Sequence, residues 1–380
     1  MAEHTPRAPR GRALDPGPAA VVHSGVRFSL SVVPFWDPAD RVPYRRTFEL
    51  CRLAESQGFE GVMVGHHHFA EGQISDPLTL LAAVAAQTTT LRVATAIFLL
   101  PLHHPIEVAE RVATLDQISG GRASLGVGIG WSPSEYRAFA ASLSERGARI
   151  EEALGLLRRL WTERDVSACG RFWRFDPVTV HPRPVQSPHP PLWVAGNAPA
   201  AIDRAARLGT HWLCDPVQTL DEVARLRARY EQACASAGRA PAWLLRRYVW
   251  LGRDRDAMER EFLPAFVPKQ LAYWRLATEG AEERRLFARI DAGEDVPLRE
   301  IARGRFLGGS SEDVIADLEE CRARTGVEHV SVGFGGGLSG RPEAARSREA
   351  WIEARDAILR FGREVMPAFG AGRREPSAVG

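Results

Sequence analysis

The chain has 380 residues but a single lysine, Lys269, so arginine supplies nearly all of its 49 basic side chains. Enzymes that form a Schiff base, or that use lysine as a base, need that amine at the reacting centre. Lys269 is the one candidate, and the residues around it carry no other signal of a site. The near absence of lysine therefore argues against lysine-based catalysis.

Cysteine is also scarce, because the five cysteines lie far apart and none belongs to a Cys-x-x-Cys pair. That spacing disfavours a disulfide framework and a cysteine-based zinc site, and a reducing cytoplasm is the expected location. The sequence contains no run of about 18 apolar residues that would cross a membrane. The formal net charge of +2 argues against a nucleic-acid partner, which needs a concentrated basic face.

Segments of two kinds alternate along the middle of the chain, namely short apolar strands and amphipathic helices. Eight such units favour a parallel sheet closed into a (β/α)8 TIM barrel, forming one domain over residues 26–369. We expect residues 1–25 to be a disordered leader without the apolar core of a signal peptide, and residues 370–380 to be a disordered tail. The predicted strands are 26–34, 61–65, 91–99, 123–129, 192–195, 211–214, 245–251 and 329–332.

Two stretches interrupt the alternation and are interpreted as insertions. The first, at about residues 164–190, has the pattern of a hairpin with Gly170 at its turn, followed by a proline-rich connector. Residues of about 254–308 are predicted to be helical but irregular, and are a candidate lid. In a TIM barrel the active site lies at the carboxyl ends of the strands. That rule selects Phe35–Trp36, His66–His68, Ala96–Ile97, Gly128–Trp131, Gly196–Ala198 and Gly335–Gly337.

The sharpest polar feature is the triple histidine His66-His67-His68 after the second predicted strand. Imidazole suits proton transfer near neutral pH. An equally open interpretation is two solvent-facing loop histidines and one packed histidine. The spacing His66-x-His68 is also typical of metal-dependent hydrolases, but such a site needs ligands on later strands. The only candidate ligands there are His211 and Asp215. Because His211 lies at the start of its strand, at the opposite end from the active site, we expect no metal.

Two glycine-containing segments and a second histidine pair have more than one interpretation. Gly126, Gly128 and Gly130 alternate in the fourth strand, which fits close packing or room for a flat ring. Gly196–Ala198 precedes a helix whose N-terminus would seat a phosphate, although Asn197 is equally able to cap that helix. His103–His104 precedes Pro105 and is expected to shape a helix entrance.

Several segments, taken together, resemble the bacterial luciferase-like flavin monooxygenases. Gly65-His-His-His-Phe-Ala-Glu71 is similar to the family's Glu-His-His-Phe-x-Glu segment. Further matches are Leu100-Pro-Leu-His-His-Pro105, Ala113-Thr-Leu-Asp-Gln-Ile-Ser-Gly-Gly-Arg122, Pro190-Pro-Leu-Trp-Val-Ala-Gly-Asn197, Gly326-Val-Glu-His-Val330 and Glu364-Val-Met-Pro-Ala-Phe369. The resemblance covers residues 26–369, and its strength lies in the order and spacing of the segments.

The resemblance implies roles for particular positions. His67 corresponds to the histidine that assists the flavin chemistry, with His68 its neighbour, and Ala96–Ile97 to a non-proline cis peptide under the flavin ring. Arg149 and Gly196–Asn197 correspond to groups that hold the flavin phosphate. The whole cofactor set expected on this basis is Ala96, Ile97, Gly128, Trp131, Arg149, Gly196, Asn197 and Ala198, with Trp36 and Phe98 in the substrate pocket.

Three positions depart from the family pattern. A second phosphate-binding arginine of the family aligns with Ile129, and a threonine aligns with Ala200. His66 stands where the family has an acid. The phosphate site is therefore expected to differ here, and light emission is not implied.

The function implied is a two-component monooxygenase that oxygenates a small organic substrate with reduced FMN and O2 through a flavin hydroperoxide. A separate NAD(P)H-dependent flavin reductase would supply the reduced FMN, since no second nucleotide-binding domain is visible in the sequence. His67 would move a proton, and Trp36, Phe98 and Trp131 would wall a dry pocket. A homodimer is one expected assembly.

Three alternatives remain open on the sequence. The same segments resemble relatives that transfer hydride with the deazaflavin coenzyme F-420. A metal-dependent hydrolase and a non-catalytic flavin-binding relative also fit the barrel. Cofactor binding and oxygen consumption separate these alternatives from the first.

Overall fold

The described residues form a closed eight-stranded parallel barrel, which confirms the predicted fold class. The computed structural model describes residues 25–371 except 33, 36–39, 70–72, 278–280 and 335–346. β11 pairs with β1 at His329 and Arg27, and β8 closes the ring by pairing with β9 at Trp212 and Trp243. The barrel strands are β1 (Arg27–Val32), β2 (Gly61–Val64), β3 (Arg92–Thr95), β4 (Ala123–Val127), β7 (Leu192–Ala195), β8 (His211–Cys214), β9 (Trp243–Leu251) and β11 (His329–Phe334).

The first interruption of the barrel pattern is a two-stranded antiparallel hairpin, β5 (Val166–Cys169) and β6 (Arg174–Val178). Its turn is closed by a hydrogen bond from the backbone N–H of Gly170 to the carbonyl of Trp173. The predicted hairpin is therefore present, with its turn at the expected glycine.

The second interruption ends in a strand that the sequence analysis missed. β10 (Phe306–Gly309) runs parallel to β9, with Phe306 opposite Tyr248 and Gly309 opposite Leu251. The prediction of helix through residue 308 was wrong for these residues. Four residues, two of them glycine, give too short a pattern to predict a strand, and the pairing with β9 stabilises it instead.

The helices lie between the strands and cover the barrel, and their apolar stripes face inward. Ile150, Leu154, Leu157 and Trp161, the predicted stripe of one helix, are all buried. The helices are α1 (Arg45–Gln57), α2 (Pro77–Ala85), α3 (Pro105–Ser119), α4 (Pro133–Ala138), α5 (Arg146–Thr162), α6 (Pro199–Leu208), α7 (Leu220–Ser236), α8 (Arg255–Ala257), α9 (Leu263–Ala277), α10 (Ala281–Asp291), α11 (Leu298–Ala302), α12 (Ser311–Thr325) and α13 (Arg348–Arg360).

The helices α8 to α11 form a cap with its own apolar cluster. Phe262 stacks on Phe266 and on Phe306 of β10, with ring centroids 4.8 and 4.7 Å apart, and Phe266 lies tilted against Phe306 at 5.2 Å. Val217, in the loop after β8, belongs to the same buried cluster. The cap is therefore packed on the barrel beside the carboxyl end of β8.

Two further predictions concern the ends of the chain and the presence of membrane-spanning helices. The predicted leader and tail fall, apart from residues 25 and 370–371, outside the described residues. Among the helices that are described, none combines the length and the apolar character needed to span a lipid bilayer.

Asp116 ties α3 to the proline-rich connector before β7. Its carboxylate is fully buried and accepts hydrogen bonds from the backbone N–H groups of Val185 and Gln186, at 2.8 and 2.9 Å. The side-chain amide of Gln186 donates to its other oxygen at 2.7 Å. One carboxylate therefore satisfies three donors that hold the connector in place.

We expect Asp116→Ala to lower the free energy of unfolding by about 2–4 kcal/mol, because it leaves these donors without their acceptor. Urea unfolding followed by fluorescence and circular dichroism measures the change. The control is Glu107→Ala on the same helix, which removes an exposed ion pair with Arg111 and is expected to cost about 0.5 kcal/mol. Equal effects of the two substitutions would contradict the assignment.

A buried histidine lies inside the barrel between β1 and β11. The Nε2 atom of His329 lies 2.8 Å from the hydroxyl of Ser29, and burial, with the charge of Arg27 and the neighbouring His211 and Arg92, lowers the pKa of His329 well below 6.5. The unfolded chain therefore takes up this proton at a higher pH than the folded chain does. Stability is lost as the pH falls below about 6.5.

We expect His329→Gln to flatten the pH dependence of the unfolding free energy between pH 6.5 and 5 by up to about 1.4 kcal/mol per pH unit. The slope is read from urea unfolding at several pH values, so an overall loss of stability does not affect it. His181→Gln, at an exposed histidine, serves as the control. An unchanged slope in the His329 variant would refute the buried neutral histidine.

Candidate active site

The triple histidine lies in the loop after β2, and two of its backbone N–H groups donate hydrogen bonds within the protein. The N–H of His67 donates to the carbonyl of Ile74 at 2.9 Å, and that of His68 donates to the Glu135 carboxylate at 2.8 Å. Glu135 is itself buried in α4, so this short helix positions the loop. The result places three imidazoles at the mouth of the barrel.

All three imidazoles are held in the uncharged form near neutral pH. Burial, with the neighbouring histidines, lowers the pKa of His66 to about 3. Burial also lowers the pKa of His67 and His68, while the Glu135 carboxylate opposes the shift at both. Arg246 adds to the lowering at His67. An uncharged imidazole is able to accept a proton at pH 7, as the proposed role of His67 requires.

His103 joins this group from the turn after β3, which the sequence analysis did not foresee. Its ring centroid lies 5.4 Å from that of His66 and 6.0 Å from that of His68. Burial, with His68 and Arg111, lowers the pKa of His103 to about 4. Only His104 shapes the entrance of α3, where its Nδ1 atom accepts from the N–H of Ile106 at 3.3 Å. The prediction for the pair was therefore right for His104 alone.

The chain leaves the β3–β4 ladder at Thr95, earlier than the predicted strand end at residue 99. The peptide bond between Ala96 and Ile97 is cis, the geometry that the resemblance implies for this position. Phe98 is almost completely buried and packs against His66 and His103, with ring centroids 4.9 and 4.5 Å apart. Its expected place in the substrate pocket stays a prediction.

Arg246 in β9 is a site residue that the sequence analysis missed. Its Nη1 donates to the carbonyl of Ala96 at 3.3 Å, and its charge acts on His67. Its Nε is buried and finds no hydrogen-bond partner in the described part of the chain. The sequence does contain a signal for this residue. Arg246 and Arg247 interrupt an otherwise apolar predicted strand, and adjacent side chains of a strand point to opposite faces.

The glycines at the end of β4 are explained by close packing. A Cβ at Gly126 would lie 2.1 Å from the carbonyl oxygen of Thr95, and one at Gly128 would lie 2.8 Å from the side chain of Ile97. The space is thus filled by the end of β3, which favours the packing interpretation for both. Trp131, further along this loop, is 53% exposed.

Asn197 lies between β7 and α6 but does not cap the helix. Ala198 occupies the N-cap of α6, and the structure shows no side-chain cap bond there among the described residues. Instead the Asn197 amide donates to the Asp215 carboxylate at 2.5 Å. The capping alternative was therefore wrong. Pro199 has no N–H and that of Ala201 donates to the carbonyl of Ala198 at 2.9 Å, so an anion at the start of α6 would meet the N–H of Ala200.

Asp215 follows β8 and is half-buried beside the two arginines of β9. Burial raises the pKa of Asp215, whereas hydrogen bonds from Val217 and Asn197 and the charges of Arg246 and Arg247 oppose that rise. The Oδ1 atom of Asn197 is buried and has no hydrogen-bond partner among the residues described. The mouth thus contains buried polar atoms whose hydrogen-bonding capacity is not used by the protein.

Arg149 lies in the first turn of α5 and is held by aromatic rings. Its guanidinium lies over Phe172 and Trp173 of the hairpin, 5.1 Å from each ring centroid. Its Nε donates to the carbonyl of Pro101 at 2.9 Å. No contact joins Arg149 to Gly196 or Asn197 among the described residues, so the shared phosphate site stays a prediction.

Two of the predicted positions at the strand ends have no structural description. Trp36, expected in the substrate pocket, lies outside the described residues, and so does Gly335–Gly337 after β11. The other predicted positions all follow the carboxyl end of a barrel strand except Arg149.

The chain matches a known family over most of its length. The family model described as luciferase-like monooxygenase matches residues 26–329. The flavin-dependent trigonelline monooxygenase oxygenase component of Acinetobacter baylyi is 31% identical over 50% of this chain and 54% of its own length. The FMNH2-dependent dimethylsulfone monooxygenase of Pseudomonas putida is 31% identical over 62% and 64%. The chain therefore matches about half to two thirds of the length of these curated relatives.

Solved structures cover the chain more fully. The monooxygenase RslO1 of Streptomyces bottropensis has a TM-score of 0.72 at 28% identity, covering 90% of this chain and 99% of its own. The F-420-dependent tetrahydromethanopterin reductase of Methanopyrus kandleri has a TM-score of 0.68 at 19% identity, covering 91% and 99%. The latter similarity shows the shared fold alone.

Proposed function

Because this chain belongs to the luciferase-like monooxygenase family, we propose that it oxygenates a small organic substrate with reduced FMN and O2. The observation that carries the proposal is the pairing of a cation with an uncharged imidazole at the barrel mouth. Arg246 contacts the Ala96 carbonyl while its charge acts on His67. Two relatives whose names specify flavin or FMNH2 add support.

The residues at the mouth fit the two ends of FMN. The isoalloxazine ring offers carbonyl and ring-nitrogen groups, which the unpartnered Nε of Arg246 would meet as a donor. The phosphate is a dianion, which the N-terminus of α6 would bind through the N–H of Ala200 and the helix dipole. Arg149, with guanidinium N–H groups beyond its bond to Pro101, lies on an element that would frame the phosphate, whereas the unused Oδ1 of Asn197 is an acceptor and would meet only a donor group of the cofactor.

Bound reduced FMN supplies the two electrons with which one oxygen atom of O2 is transferred to substrate and the other leaves as water. The chain itself supplies positioning and proton transfer. His67, uncharged because it is buried, accepts or returns a proton at a ring nitrogen. Arg246 stabilises negative charge that forms beside the Ala96 carbonyl.

The cap of α8 to α11 shields this chemistry from water. Its apolar cluster includes Val217, two residues beyond Asp215, so the cap lies next to the mouth. Excluding water strengthens each electrostatic interaction inside the site and limits loss of reactive oxygen species. A separate flavin reductase provides the reduced FMN, as the words "oxygenase component" in the name of one relative suggest for that protein.

The proposal is tested first by cofactor binding without oxygen. We expect anaerobic titration of the purified chain to show binding of reduced FMN in preference to reduced F-420. A reductase-coupled assay under 18O2 is then expected to give a product with one added labelled atom, scored by mass spectrometry. Binding of reduced F-420 without binding of FMN would overturn the proposal in favour of hydride transfer. Binding of FMN with no oxygen consumption would make the chain a non-catalytic flavin binder.

Arg246 gives a sharper test of the cofactor site. We expect Arg246→Met to weaken the binding of anionic reduced FMN by about 10- to 100-fold, because a charge-assisted hydrogen bond is lost. Binding of oxidised FMN, whose ring is uncharged, is expected to change much less. The ratio of the two dissociation constants, from fluorescence titration, is the measurement.

The matched control is Arg253→Met, at an arginine just beyond β9 that is 70% exposed. Like Arg246→Met, this substitution removes one positive charge from the chain, but that charge is not at the barrel mouth. Arg246→Lys is expected to restore part of the preference for reduced FMN. An unchanged ratio in Arg246→Met would place the flavin ring away from this guanidinium.

A further inference from the structure

Three histidines at the barrel mouth present buried nitrogen atoms to one another. The Nε2 atoms of His66, His68 and His103 are all buried, and none has a hydrogen-bond partner in the described portion of the chain. The side chain of His66 is 98% buried, since the residue is only 2% exposed. One ring nitrogen from each of the three lies within 4.8 Å of the others.

We propose that His66, His68 and His103 bind a divalent first-row transition metal, with Zn²⁺ as the best fit. Imidazole nitrogen is a preferred ligand of these metals, and three histidines with one open position form a recurrent tetrahedral zinc site. Ligand nitrogens around zinc lie roughly 3.4 Å apart, so the widest pair must approach by about 1.4 Å. The two partly exposed rings, those of His68 and His103, would have to move to close that distance.

A hydrogen bond with the backbone decides how His66 would bind a metal. The Nδ1 atom of His66 accepts a 3.2 Å hydrogen bond from the N–H of Leu99, which places the ring proton on Nε2. Ligation by His66 therefore exchanges the Leu99 bond for one metal bond and moves that proton to Nδ1.

The surroundings support a site rather than chance proximity. Phe98 packs on His66 and His103, and Phe139 packs on His68 at 4.4 Å, so apolar rings enclose the nitrogens. Glu135 holds the backbone of His68 in place at 2.8 Å. A metal was not expected from the sequence because only His211 and Asp215 were considered as further ligands, whereas His103, in the turn after β3, supplies the third.

Untagged, metal-free protein is titrated with Co²⁺ and with Zn²⁺, in the absence of flavin. We expect one Co²⁺ per chain with the intense visible absorption of a tetrahedral site, displaced by one Zn²⁺ in calorimetry. His103→Leu is expected to weaken binding by at least about 100-fold, since loss of outer-shell partners alone costs 10- to 100-fold. Circular dichroism confirms that each variant is folded.

His104→Asn is the matched control, because it removes the neighbouring exposed imidazole while keeping an acceptor at the cap of α3. It is expected to leave the metal affinity unchanged. His68→Asn provides a second ligand variant if His103→Leu does not fold. No stoichiometric binding, or an equal loss of affinity in the His104 control, would overturn the proposal. Neither result bears on FMN binding, which is measured separately.

Discussion

Two hydrogen bonds between the Thr95 hydroxyl and the backbone of Gly126 fix the path of the chain at the barrel mouth. The hydroxyl donates to the Gly126 carbonyl at 2.7 Å and accepts from its N–H at 3.0 Å. They replace the strand ladder at the point where β3 leaves the sheet. Only glycine fits opposite, because a Cβ at residue 126 would lie 2.1 Å from the Thr95 carbonyl oxygen. From there the chain brings the Ala96 carbonyl to Arg246 and Phe98 to the histidines.

The electrostatics of the mouth follow from burial. Desolvation lowers the pKa of the His67 imidazole and raises that of the half-buried Asp215 carboxyl. The guanidinium of Arg246 lies in the same region and, among the described residues, donates one hydrogen bond, to the Ala96 carbonyl at 3.3 Å. The mouth thus combines a fixed cation with proton-accepting groups, an arrangement suited to an anionic cofactor and to proton movement.

The fold was predictable because hydrophobic periodicity is a local property repeated eight times. The stripe of Ile150, Leu154, Leu157 and Trp161 illustrates this, since one helix face is read directly from spacing. β10 was not predictable, because its four residues are stabilised by pairing with distant β9. The same limit applies to the site. His67 stands out in the sequence, whereas His103 and Arg246 become site residues only through contacts that the closed barrel creates.

One long strand connects the cap to the barrel at two points. β8 occupies one edge of β9 over its first residues, and β10 takes the same edge over Tyr248 to Leu251. The segment of α8 to α11 therefore departs from the end of β9 and returns as a strand bonded to it. A rigid swing of the whole segment would have to break sheet hydrogen bonds. A movement of this segment that keeps those bonds is therefore limited to bending between its two ends, both of which are fixed to β9.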